Sequence, residues 1–190
     1  MFTPFHTKRE KLMERIIDIL EERSYPYTFH DLDALVRAVG LEYLLQEDTQ
    51  ITLFAPHDQV LNELKDVNEF DLLRHLSKLK YLLDYHIVPE RISLADLRRE
   101  AEQSHSTTIQ LQTSTGRLLT IDMRNPMRVG GVPVLEADLF ASNGVIHTLD
   151  GLLMPPDLDL KEFLQPGGQH RASVYNPDEL MRYEAQGPGA

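Results

Sequence analysis

His86 and His147 are the residues of this 190-residue chain best suited to acid–base chemistry. An imidazole exchanges a proton near neutral pH, so two of them could act as general acid and general base. His147, however, sits between Val145 and Leu149 on one face of an alternating segment. A histidine placed that way reads as a core residue whose ring nitrogens are taken up by hydrogen bonds. His86 has the same reading, with more room for surface exposure. A nucleophilic triad would also need an activated serine or threonine, and no G-x-S-x-G elbow occurs. Ser142-Asn143-Gly144 is turn chemistry instead, because Asn and Gly both tolerate positive φ.

Metal chemistry finds little support. His57 and Asp58 are adjacent, so they face different ways at a helix start, and no second ligand pair is matched to them. Asp58 is more simply a favourable charge against a helix dipole. No D-x-D-x-D-G calcium loop is present. With no cysteine there is no disulfide or thiol chemistry. A net charge of -11 argues against nucleic acid and anionic membranes as partners. The opening stretch, residues 1–20, holds no uninterrupted apolar run, and no membrane span is expected anywhere. The expectation is a protein without enzymatic activity, cofactor or metal. Its 42% hydrophobic residues are enough for a real core.

The elements that must position these residues come in two halves. Thr7 and Glu10 form a capping box for a helix over Lys8–Glu22, with Leu12, Met13, Ile16, Ile17 and Leu20 at helical spacing. A second helix starts near Thr28–Asp31, buries Leu32, Leu35, Val36 and Val39, and stops at Gly40. Leu41, Leu44 and Leu45 predict another short helical piece. Ile51–Ala55, ended by Pro56, reads as a buried strand, and His57–Lys65 as a helix with Val60, Leu61 and Leu64 inward. The longest helix is expected over Glu69–Asp84, striped by Leu72, Leu73, Leu76, Leu79, Leu82 and Leu83. Tyr85–Val88 should leave it as a strand, and Ser93 with Asp96 should cap a helix through about Ala101.

From Thr107 the period changes to two. Ile109 and Leu111 alternate with glutamines, Leu119, Ile121 and Met123 with polar residues, and Gly130-Gly131 makes a hairpin. Pro133 predicts an edge strand or a bulge. The segments Leu135–Ala141 and Val145–Leu149, joined at Asn143-Gly144, should close the β-core, with Gly144 at positive φ where a Cβ would clash. Helices first and strands second make the class α+β. Residues 1–156 read as one domain. Residues 157–190 read as an extension of short helical pieces, Leu158–Leu164 and Asn176–Ala185, with a loose end.

Three segments resemble one known family. ITLFAPHDQVLNEL at 51–64, Tyr85-His86 after a leucine-rich helix, and EADLFASNGVIHTLDGLLMPP at 136–156 resemble the signatures of fasciclin-like domains, in order and spacing. The resemblance covers roughly residues 12–156 and implies a wedge of about seven β-strands with helices packed around it. It also implies adhesion and protein contacts, and in some members binding of lipids or carotenoids. The family's adhesion motifs fall here on Tyr85 and His86, flanked by Leu82, Leu83, Ile87 and Val88, and on Glu136–Phe140, with Asp138 and Leu139 at its centre. His57-Asp58 departs from the small hydroxyl and polar residue usual after Ala-Pro, and Leu139 stands where isoleucine is preferred.

The expectation that follows is a non-enzymatic interaction module whose partner is another protein, self-association included. Tyr85 would offer a flat ring with a polar tip and Asp138 an orienting charge, while Leu139 and Phe140 alternate between core and surface. Asn143, Gly144 and His147 would be structural. The alternative is a carrier holding a hydrophobic small molecule, a lipid or carotenoid, between helices and sheet.

Overall fold

A computed structural model describes residues 13–46, 49–65 and 75–158. The helices among them are α1 (Ile16–Glu22), α2 (His30–Ala38), α3 (Glu42–Gln46), α4 (Asp58–Lys65), α5 (Leu76–Tyr85) and α6 (Leu94–Ser104). The strands are β1 (Ile51–Pro56), β2 (Ile87–Val88), β3 (Thr108–Gln112), β4 (Leu118–Asp122), β5 (Arg128–Val129), β6 (Val132–Ala141) and β7 (Gly144–Leu149). They form one seven-stranded sheet in the order β2-β1-β7-β6-β5-β4-β3. The α+β class expected from the sequence is what the chain adopts.

The segment read as the closing pair is the centre of the sheet. β7 pairs in parallel with β1, from Ile51↔Gly144 to Pro56↔Leu149, and antiparallel with β6. Both of its edges are therefore paired, and all six residues of β7 are buried. β6 is long because it serves two neighbours, β5 near Val132 and β7 from Val134 onward. Pro133, opposite Arg128 of β5, therefore stands near the start of an internal strand and not at an edge. The β6–β7 register slips twice between Val134 and Leu139, and Asp138 takes φ +62 there. Such a bulge bends a strand and re-aims its side chains.

Apolar side chains collect in two clusters. One joins α1, α2 and α5 to Ile51, Leu53 and Ile146; the other joins α6 and the β3–β5 strands to Phe54, Tyr85 and Leu149. β1 feeds both because successive side chains point to opposite faces. α1 belongs to the first cluster, with Ile16 and Leu20 fully buried.

Several boundaries differ from the sequence reading, among them the start of β6, at Val132 and not Leu135. α1 begins at Ile16, not Lys8; Glu14 and Arg15 are exposed, and Met13–Arg15 are not helical. The Thr7–Glu10 box lies outside the described residues. α5 begins after His75, a turn residue, and Leu76 is exposed instead of striping the core; Leu72 and Leu73 lie outside the described residues. Tyr85 ends α5 and His86 caps it at φ -84 and ψ -4, so the strand is only Ile87–Val88. α6 runs past Ala101 to Ser104, and His105 stops it at φ +51. Its Ser93–Asp96 capping box is formed as expected. The expected helical pieces after residue 158 lie outside the described residues.

Candidate interaction surface

Asn143 is the first residue to place, because it holds the turn against the helices. Its Oδ1 accepts the Ile16 N–H (2.9 Å), the first free amide of α1, and its Nδ2 donates to the Leu45 carbonyl (2.7 Å) at the end of α3. An N-cap acceptor satisfies one of the amides a helix start leaves open. Here the acceptor comes from 127 residues away. Gly144 follows at φ +157, positive as the sequence predicts. Contact adds to its demand for glycine: a Cβ would lie 2.1 Å from the Ile51 carbonyl oxygen and 2.9 Å from Ile16 Cδ1.

Both histidines are buried with both ring nitrogens hydrogen-bonded. His147 Nε2–H donates to the Ile92 carbonyl (2.9 Å), and Nδ1 accepts the Asp138 N–H (3.3 Å). Its ring stacks on Phe54, centroids 5.5 Å apart. His86 Nδ1–H donates to the Leu82 carbonyl (2.8 Å), and Nε2 accepts the Leu153 N–H (3.0 Å). Each ring is thus a neutral imidazole with one donor and one acceptor in use. Burial pushes His86 from its ordinary range down to about 4, and pushes His147 in the same direction. His86 and His147 lie on either side of the β1 strand and make no shared site.

Tyr85 and His86 were expected to face a partner. Tyr85 is 6% exposed and His86 is not exposed at all, so neither side chain is presented to solvent. The Tyr85 ring sits in the second core cluster and its hydroxyl points at the Leu118 carbonyl. Together they lock α5 to the sheet, because helix end and strand start are the same few residues. Asp138 is partly exposed, but its carboxylate accepts the Leu94 N–H (2.7 Å) and caps α6. Leu139 is half-buried against the first cluster. Phe140, the next residue, is 44% exposed.

Phe140 has neighbours that the sequence did not reveal. The Arg91 guanidinium lies 5.3 Å from the ring centroid, a cation–π distance. Arg91 is held from the other side by Gln50 Oε1 (3.3 Å). Beside Phe140 a groove of about 320 Å³ runs between α1 and β6, with Met13, Ile19 and Leu139 as its apolar wall and Arg23 at its polar end. Arg23 is fixed by two contacts to Glu136, 2.9 and 2.7 Å. Nothing in the spacing of Arg91 and Phe140 signals this pair, since they belong to different halves of the chain.

Asp58 does more than oppose its own helix dipole. It starts α4 and also caps α2, accepting from the His30 and Asp31 amides (3.2 and 2.9 Å). His57 is buried against Tyr27, and no described group hydrogen-bonds its Nε2. Among the described residues no three His, Asp or Glu side chains converge as metal ligands, and no helix is long and apolar enough to cross a membrane.

Residues 27–155 match the family model of the Fasciclin domain. Protein sll1483 of Synechocystis is 30% identical over 141 residues, which are 73% of this chain and 73% of that protein. Human stabilin-1 is 32% identical over 138 residues, 68% of this chain but only 5% of its own length. Among solved structures, a FAS1 domain pair from the insect cell adhesion molecule fasciclin I aligns with 83% of this chain and 55% of its own, at a TM-score of 0.47 and 17% identity. α1 lies before the matched residues, although its side chains are part of the core.

Proposed function

The chain belongs to the fasciclin domain family, and from that premise we propose that it works as a non-enzymatic interaction module whose partner is another protein. The contact surface centres on Phe140 with Leu139 and the α1–β6 groove, and Asp138 at its margin. One observation carries this reading: an aromatic ring 44% exposed on a bulged strand, with an arginine laid over it and an apolar groove beside it. Aromatic and arginine side chains are the types enriched where protein surfaces bind. Large apolar side chains left in water at a rigid site favour a partner that covers them. The carrier reading is weaker here. The groove, at about 320 Å³, is at the lower end for a small-molecule site and lies open between two elements.

The test is capture on immobilised protein from extracts of the source cells, comparing the parent with Phe140→Ser and with Leu118→Ser. Leu118 is more exposed than Phe140, at 61%, but lies on β4, away from the groove. A partner held by the parent and by Leu118→Ser, and lost by Phe140→Ser, supports the assignment. Equal loss in both variants, or in neither, refutes it. Pigment or lipid extracted from the clean parent would replace it with the carrier reading.

A further inference from the structure

A second surface lies at the far edge of the sheet. β3 is a terminal strand, paired only with β4. The alternation of an antiparallel ladder decides which of its main-chain groups face β4. Met123 N–H bonds to the Thr107 carbonyl and Thr113 N–H to the Arg117 carbonyl, so the odd-numbered residues of β3 face β4 and the even-numbered ones face outward. Thr108 is closed off by Ser106, whose hydroxyl accepts its N–H (3.1 Å) and donates to its carbonyl (2.9 Å). Further along, the Ser114 N–H donates to the Ile87 carbonyl of β2 (2.7 Å), which draws the two ends of the sheet together at that point. Between these closures the N–H and C=O of Gln110 and of Gln112 have no hydrogen-bond partner among the described residues.

Natural edge strands are normally protected by a charge, a proline or a bulge. β3, Thr-Ile-Gln-Leu-Gln, has none of these. It borders a groove of about 390 Å³ bounded by α6 on one side and by Glu90–Ile92 on the other. Leu97, Ile109 and Leu111 back it, with Leu97 and Ile109 buried, and most of its remaining lining is polar. The Glu90–Ile92 wall is rigid. Thr52 Oγ1–H donates to the Glu90 carbonyl (2.6 Å), Thr52 Oγ1 accepts the Ile92 N–H (2.8 Å), and His147 Nε2–H donates to the Ile92 carbonyl (2.9 Å). A wall already in place costs little ordering when a ligand arrives.

The charges of the groove select the occupant. Arg99 is engaged by Asp96, and Arg91 lies over Phe140. Glu90 and Glu100 are exposed and form no ion pair among the described residues. The lining carries three carboxylates, Glu90, Asp96 and Glu100, against two guanidiniums, Arg91 and Arg99, so its excess is one acidic charge, on a chain whose net charge is -11. A second copy of this chain would bring the same acidic pair, whereas a basic segment complements it.

We propose that the free edge of β3 is a strand-addition site for an extended segment of a partner protein, with apolar side chains at alternate positions and lysine or arginine between them. Main-chain bonds to Gln110 and Gln112 supply the register, Ile109 and Leu111 pack against alternate side chains, and Glu90 and Glu100 meet the basic ones. This surface meets the one around Phe140 only at Arg91, and the Gln110 and Gln112 main chain lies outside that one, so the two are tested by different variants.

The probe is a fluorescein-labelled peptide of alternating valine and lysine, set against the same peptide N-methylated at every second residue. Methylation keeps charge and apolar surface but removes the amides an added strand needs. Fluorescence anisotropy with the parent should show the N-methylated peptide bound about tenfold or more weakly, the loss of one or two net hydrogen bonds. Hydrogen exchange should slow at Gln110 and Gln112 when the unmodified peptide is present, and Glu100→Lys should weaken binding without moving the melting curve. Equal binding of the two peptides, no binding of either, or protection that maps elsewhere would overturn the proposal. Protection of Gln110 and Gln112 that rises with protein concentration in the absence of peptide would put a second copy at the edge instead.

Discussion

Asp138 and His147 hold each other across the β6–β7 ladder: the Asp138 N–H donates to His147 Nδ1 at 3.3 Å, while the Asp138 carboxylate reaches away to cap α6 at Leu94. The bulge makes this possible, since φ +62 at Asp138 turns its amide and its side chain toward different elements. The sequence reading assigned Asp138 an orienting charge; the structure adds that its carboxylate caps α6. Asp138→Ala should lower stability by about 1–2 kcal/mol, because a helix loses its cap and alanine tolerates positive φ poorly. Asp138→Asn, which can cap and adopt that conformation, should lose less. Urea denaturation of the two variants measures the difference, and equal losses would contradict the capping role.

Acid should destabilise the fold through its histidines. Burial depresses His86 to about 4 in the folded state, against about 6.5 in the unfolded chain. The unfolded state therefore takes up the proton first as pH falls. The contribution is complete above about 6.5 and is lost progressively toward about 4, at a cost on the order of 3 kcal/mol for His86. His147 adds to the same trend. Urea midpoints measured from pH 7 to pH 4 should fall more steeply for the parent than for His86→Gln. Parallel curves would mean that His86 is not the source.

Gly144 tests the β1–β7 junction. Gly144→Ala places a Cβ at 2.1 Å from a main-chain oxygen, which cannot move aside as a side chain could. A loss of about 3 kcal/mol is expected, at the upper end for overpacking. A melting temperature within a degree or two of the parent's would show that β1 and β7 can separate there without penalty.

The parts of this fold that were legible in the sequence are those governed by local chemistry. The Ser93–Asp96 box, the Asn143-Gly144 turn, the buried run Ile51–Ala55 and the period of two from Thr107 each act within a few residues, and each forms. The single-domain reading of residues 1–156 remains an expectation; Asp157, just beyond it, bonds to Tyr81 and Arg117. What stayed hidden depends on contacts remote in sequence. Periodicity cannot tell that β7 has neighbours on both sides, because a closing strand and a central one share the same pattern when both faces are apolar. Nor can it tell that Asn143 caps α1, or that Arg91 covers Phe140. Tyr85-His86 misled for a related reason: an aromatic and an imidazole side chain suit an interface and a satisfied core equally well, and only burial separates the two.

A partner contact at Phe140 and a structural Tyr85-His86 predict opposite behaviour for two variants. Titrating the captured partner against parent, Phe140→Ser and His86→Gln, with the melting temperature of each recorded beside its affinity, tests this most directly. Phe140→Ser should weaken binding about tenfold or more with an unchanged melting temperature, the size expected for an interface anchor. His86→Gln should melt several degrees lower but bind like the parent below its transition. Normal binding by Phe140→Ser together with lost binding by a still-folded His86→Gln would contradict it.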